Sequence, residues 1–157
     1  MSQVSLKING KVHSVDVDPK SPLLYTLTDT LALRSPNFGC GLGQCGACSV
    51  LVDNKAVQSC IFPVESAVGK EIVTLEGLGT PEKPHPVQKA LIDEQVFQCG
   101  YCVNGWVITT KALLDKNPNP SDQEIRSALA NLICRCPVHD AIFRAVKRAS
   151  NYVQGRA

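Results

Sequence analysis

The 157-residue sequence contains no run of 18 apolar residues, so no helix is expected to span a membrane and no direct membrane insertion is expected. Its start, Met1-Ser2-Gln3-Val4-Ser5, lacks a basic segment followed by an apolar one. Neither a signal peptide nor a twin-arginine leader is therefore expected. The compartment implied is the cytoplasm, or the periplasm if an exported partner carries the chain across. An excess of one charge is missing as well: 16 Lys and Arg face 14 Asp and Glu, a formal net charge of +2. That balance gives no basic surface for nucleic acid. No G-x-G-x-x-G opens a helix after a strand, which removes the usual dinucleotide site. There is no internal repeat and no low-complexity segment, and Met and Trp occur once each. What is present is a globular composition, with 44% hydrophobic and 19% charged residues, enough to bury a core in one domain or two small ones. The outlying number is eight cysteines.

A composition shift divides the chain. Residues 1–78 carry 6 basic and 7 acidic side chains, and residues 87–157 carry 9 and 6. Between them Gly79-Thr80-Pro81-Glu82-Lys83-Pro84-His85-Pro86 holds three prolines in eight residues, so 79–86 reads as a linker. In the first half Val4, Leu6 and Ile8 alternate with polar residues, Asn9-Gly10 suits a type I′ turn, and Val12, Val15 and Val17 continue beyond it. That predicts a β-hairpin. Leu23, Leu24, Leu27 and Leu31, following Ser21-Pro22, predict a short helix with proline near its first position. Strands are expected at 50–52, 55–57 and 72–75, with a turn at Asp53-Asn54. Together these make a small mixed sheet with one helix across it. The second half has helical periodicity. Helices are expected over about 86–97, around 106–114 ending before Asn117-Pro118, from the Ser121-x-x-Glu124 capping box onward, and over 141–149. Four short helices with brief connections make a bundle, and the whole chain is of the α+β class.

The linker splits the cysteines four and four. Cys40, Cys45, Cys48 and Cys60 read C-x4-C-x2-C-x11-C, and Cys99, Cys102, Cys134 and Cys136 read C-x2-C-x31-C-x-C. Disulfides need an oxidising compartment, and bridging Cys134 to Cys136 across one residue would strain the bond. Zinc accepts four thiolates and C-x2-C is a common zinc knuckle. C-x4-C-x2-C, however, is the spacing of plant-type 2Fe–2S loops. The first set therefore points to iron–sulfur, whereas the second, taken alone, leaves zinc and iron–sulfur both open, with buried thiols as the bland alternative. Within the first loop, Gly41, Gly43 and Gly46 punctuate the cysteines. A cluster with four thiolates carries a charge of about −2 and accepts hydrogen bonds at sulfur. A loop meets that charge by curling backbone N–H groups inward, which calls for positive φ and no Cβ in the way. In the second set, both cysteine pairs fall at corners between expected helices. Two clusters would bring the formal charge from +2 to about −2.

At these residues the sequence resembles the small iron–sulfur subunit of the xanthine oxidase family of molybdenum hydroxylases, closest to N-heterocycle or aldehyde dehydrogenases. The resemblance runs through Pro22-Leu23-Leu24, Cys40–Cys48, Cys60 and His85-Pro86-Val87-Gln88. It continues through Gln98-Cys99-Gly100-Tyr101-Cys102, Asn117-Pro118, Glu124-Ile125-Arg126 and Cys134-Arg135-Cys136. It implies a β-grasp, plant-ferredoxin-like domain over 1–78 and a four-helix iron–sulfur domain over 87–157, with the eight cysteines holding two 2Fe–2S clusters. It further implies a large partner subunit carrying a molybdopterin cofactor, with Gln98 and Cys136 on the pterin side of this chain. Electrons would pass from molybdenum to the cluster on the second set, then to the cluster on the first, then to an FAD-binding subunit or a cytochrome. The substrate, an aldehyde or N-heterocyclic aromatic, would react in the partner.

Three segments depart from the family pattern. Val103-Asn104-Gly105 stands where many relatives have Thr-Pro-Gly, Asn131-Leu132-Ile133 where Gly-Asn-Leu is usual, and Pro137-Val138-His139 where Gly or Thr-Gly precedes Tyr. Asn131 is a candidate for left-handed geometry. His139 is read as a helix cap or a solvent-facing residue, with a hydrogen bond to a cluster sulfur as the functional alternative, and Arg135 as an offset to cluster charge, a partner contact or a surface ion pair. Two other functions remain for the chain as a whole: a free two-cluster ferredoxin-type carrier, and a zinc-stabilised interaction module.

Overall fold

A computed structural model describes residues 2–156. Strand β1 (Ser2–Ile8) turns at Asn9 and Gly10, with φ of 50° and 77°, into antiparallel β2 (Lys11–Val17). Both turn residues lie in the left-handed region, as the Asn-Gly pair predicts for a type I′ hairpin. The alternation of β1 buries Val4, Leu6 and Ile8 on one face. A second hairpin joins β3 (Ser49–Val52) to β4 (Lys55–Gln58) across Asp53 and Asn54, at φ of 48° and 63°. Strand β5 (Glu71–Val73) lies between the hairpins, parallel to β1 and antiparallel to β3, giving the sheet order β2-β1-β5-β3-β4. Leu23 and Leu27 pack on it with Leu6, Val50 and Ile72.

The helix over that sheet differs from expectation. Helix α1 (Leu23–Tyr25) makes one turn after Pro22 and then widens into a π-type turn over Thr26–Thr30, closed by Leu31 N–H donating to Thr26 O at 3.1 Å. Three threonines at alternate positions explain the poor helix: their branched side chains crowd the preceding turn, and Thr28 Oγ1 donates to Leu24 O instead of facing solvent. Strand β5 also stops short of the expected residue 75, because Thr74 leaves the ladder and exchanges two hydrogen bonds with the Asn9 side chain.

The second half packs helices α2 (Pro86–Asp93), α3 (Val103–Lys116), α4 (Asp122–Leu129) and α5 (His139–Val153) around Leu91, Trp106, Ile125, Ile142 and Ala145. His85 and Gln88 form a reciprocal cap on α2, which starts at Pro86 as its periodicity predicts, the last residue of the 79–86 connection being the first of the helix. That helix ends at Asp93 rather than near 97: Gln95 takes φ of 52°, reversing the chain so that Val96 can be buried. Glu94 then receives both Arg144 and Arg148 of α5. The Ser121–Glu124 capping box opens α4, with Ser121 N–H donating to Glu124 Oε2 at 2.7 Å. Helix α5 is longer than expected at both ends.

Candidate metal centres

The loop after Phe38 curls its backbone toward sulfur. Leu42 and Gln44 N–H donate to Cys40 Sγ at 3.3 and 3.2 Å, and Cys40 N–H to Cys45 Sγ at 3.4 Å. Gly41, Gly43 and Gly46 take φ of 67°, 69° and 74°, which such a curl requires. At Gly39 a Cβ would stand 2.6 Å from Cys45 Sγ. Those N–H donors hold the Cys40 thiol down to about 6, so it is a thiolate at neutral pH. Cys48 immediately precedes β3 and Cys60 follows β4; they are 1% and 7% exposed and pack with Leu24. Burial pushes the Cys48 thiol up to about 11, with Cys60 beside it adding to the rise. A cation bound beside Cys48 would favour its thiolate against that burial.

Glu76 anchors the approach to this loop. It accepts from Arg34 N–H at 2.9 Å, Ser35 N–H at 2.8 Å, the Ser35 hydroxyl, and Thr74 Oγ1 at 2.5 Å. Partial burial raises its carboxyl pKa, but hydrogen bonds from Ser35 and Thr74 outweigh burial and hold it below the usual carboxylate range. A carboxyl lowered in this way contributes stability that is full at neutral pH and is lost as pH falls through its folded value. Glu76→Ala is expected to cost on the order of 2 kcal/mol at pH 7. Thermal melts should show the gap to wild type closing in acid; a gap independent of pH would contradict the assignment.

The second set gathers at the corners of the bundle. Cys99, Cys102, Cys134 and Cys136 line one recess with Gln98 and Trp106. Cys136 Sγ lies 3.5 Å from Cys99 Sγ, and Cys134 faces Cys102; burial, with Cys102 adding to it, raises the Cys134 thiol pKa. Trp106 Nε1–H donates to Cys102 Sγ at 3.3 Å. Cys99 and Gln98 are exposed.

The thiols therefore come as four twos: Cys40 with Cys45, Cys48 with Cys60, Cys99 with Cys136, and Cys102 with Cys134. Two thiolates on one tetrahedral metal at about 2.3 Å lie about 3.8 Å apart, close to the spacing of Cys99 and Cys136. Among the described residues no three His, Cys, Asp or Glu side chains converge on a point fit for a single ion. A binuclear cluster takes two thiolates per metal, and two thiol pairs on one recess suit that demand.

The two sets meet along a seam. Ile133 N–H, next to Cys134, donates to Cys45 O at 3.0 Å. Gly105 rests on Gly46: a Cβ there would collide with Gly46 O and stand 3.0 Å from its carbonyl carbon. Asn104 lies in the same seam, and Asn37 Nδ2 donates to Tyr101 O at 2.9 Å.

Chain comparisons agree with this geometry. Residues 6–73 match the family described as "2Fe-2S iron-sulfur cluster binding domain" and residues 74–147 that described as "[2Fe-2S] binding domain". A nicotinate dehydrogenase subunit of Pseudomonas putida is 52% identical over 147 residues, covering 94% of both chains. The alpha subunit of the isoquinoline 1-oxidoreductase of Brevundimonas diminuta is 42% identical, covering 91% of this chain and 94% of its own. The chain belongs to the iron–sulfur subunits of the xanthine oxidase family of molybdenum hydroxylases. Its fold is that of the crystallised aldehyde oxidoreductase of Desulfovibrio desulfuricans, with a TM-score of 0.95 at 38% identity, over 99% of this chain. This chain spans only 18% of that one.

The departures from the family pattern resolve one by one. Asn131 does not take positive φ; the 131–133 segment is held instead by the Ile133–Cys45 hydrogen bond. His139 is exposed, as the solvent-facing reading expects, and neither caps a helix nor bonds a sulfur among the described residues: it is the first residue of α5, and its ring meets Trp106 edge-on, centroids 6.2 Å apart. Arg135 is exposed and forms no ion pair among the described residues. Sequence reasoning passed over two side chains at the centres, Asn104 and Trp106. Trp106 had a usable signal, since four residues after Cys102 is one turn along the same helical face.

Proposed function

We propose that Cys40, Cys45, Cys48 and Cys60 hold one 2Fe–2S cluster and that Cys99, Cys102, Cys134 and Cys136 hold a second. Residues 1–78 and 87–157 are taken as the two cluster domains, joined by the 79–86 connection. The protein is an electron-transfer subunit whose family acts on N-heterocycles or aldehydes. Bound clusters supply one-electron carriers, so that a two-electron oxidation in a large molybdopterin subunit drains one electron at a time. This chain's residues do the rest. The Leu42 and Gln44 N–H groups and the Trp106 indole N–H donate to cysteine sulfur and so tune potential. The Gly105–Gly46 contact and the Ile133–Cys45 hydrogen bond keep the two sets at fixed separation. Gln98 and Cys136, at the exposed corner, are proposed to face the pterin, and the first set an FAD-binding subunit or a cytochrome. An N-heterocyclic aromatic is the favoured substrate, a choice supported by the nicotinate and isoquinoline relatives.

The observation that carries this reading is the pairing of eight thiols into four twos across two sites. Anaerobically purified protein should hold about four iron and four acid-labile sulfide per chain, in complex with a large subunit. Zinc without sulfide would overturn the redox reading. Iron–sulfur in a chain that elutes alone near its 16.9 kDa would instead indicate a free carrier.

A further inference from the structure

Asn104 sits in the first turn of α3, two residues beyond Cys102, and is 3% exposed. Its amide nitrogen donates to Ala47 O at 2.9 Å and to Ser49 O at 2.8 Å, the carbonyls on either side of Cys48. Both acceptors are carbonyls, so the NH2 end of the amide must face them. Its own Oδ1 is buried without a hydrogen-bond partner among the described residues. Leaving that oxygen bare is costly, and an apolar side chain would fill the space without the cost. The amide thus does something that packing alone does not require. Ala47 C=O belongs to the same peptide unit as Cys48 N–H, and a donor on the oxygen polarises the N–H at the other end. Hydrogen-bond donors around an iron–sulfur centre favour its reduced, more negative state.

We propose that Asn104 is a positioning residue for electron transfer between the two cysteine sets: anchored beside Cys102, it fixes the peptide units flanking Cys48 and raises the reduction potential of the centre on the first set. The inference rests on the two-cluster reading above. It concerns a position where the family pattern puts proline, which has no side-chain donor.

The test is an anaerobic redox titration of the intact complex, followed by electron paramagnetic resonance, on wild type, Asn104→Leu and Asn104→Pro. Leucine is close in size. Proline is tolerated in the first turn of a helix, so the second variant keeps the fold while deleting both donors. The first-set centre should become harder to reduce in both variants, by at least about threefold in its one-electron equilibrium constant, or about 28 mV at 59 mV per tenfold. The second-set potential should not move, and the magnetic splitting between the two reduced centres should change. Selective loss of the first-set signal would also support the assignment. Unchanged first-set potentials in both variants, or loss of both signals in both, would overturn it. Absence of any iron–sulfur signal in wild type would instead defeat the two-cluster reading itself.

Discussion

Replacing Cys99 by serine should stop substrate turnover while leaving the spectroscopic signal of the first cysteine set intact. Cys99 pairs with Cys136 at 3.5 Å in the bundle. A serine hydroxyl is a poor substitute for a soft thiolate on iron. Removing a neighbour of a metal ligand already costs about 10- to 100-fold, so losing the ligand itself should exceed about 100-fold in turnover. The first set is insulated from this damage because Cys48 and Cys60 pack with Leu24, beside a sheet core separate from that of the bundle. Electron paramagnetic resonance of the reduced variant checks the expectation. If both signals vanish, the two sites are not independent.

The second large effect is expected at Gly105. Its backbone is not in the left-handed region, so any cost of a methyl group is purely one of space. The added Cβ would meet the Gly46 carbonyl and, at 3.3 Å, Leu132 Cδ2. Carbonyl oxygens do not move aside as side-chain tips do, so Gly105→Ala should cost on the order of 1–3 kcal/mol and prise the two cysteine sets apart. Gly69→Ala is the matched control: φ is 74° with nothing among the described residues within 4 Å, leaving only backbone strain of about 1–2 kcal/mol. Thermal melting should register both variants. Weakened magnetic splitting between the reduced centres should appear only in Gly105→Ala, and an unchanged splitting there would refute the role given to the seam.

The hairpins, the α4 cap and the two cysteine sets were legible in the sequence because each is a local signal: Asn9-Gly10, Ser121-x-x-Glu124, and ligand spacing within a loop or across a pair. The π-type turn at Thr26–Thr30 and the early stop of α2 were not, since leucine and valine periodicity reports which residues are buried rather than how the backbone delivers them. Val96 is buried as expected, yet beyond a reversal at Gln95. The thiol partners within each set also lay outside the sequence's reach. Cys48 meets Cys60 because β3 and β4 are antiparallel, and Cys99 meets Cys136 because helix corners converge. The seam is purely tertiary, and a lone Asn or Gly carries no sign of a carbonyl that approaches from more than 50 residues away.

Solvent reaches the two ends of the chain's chemistry unequally: Cys99 is exposed, whereas Cys48 and Cys60 are shielded. Peroxide or dissolved oxygen would therefore spare Cys48 and Cys60 and attack the exposed Cys99 and the half-exposed Cys40 thiolate, carrying their sulfurs toward sulfenic and then irreversible sulfinic acid. Stored apart from its complex, the protein should age at those two sulfurs before the shielded pair.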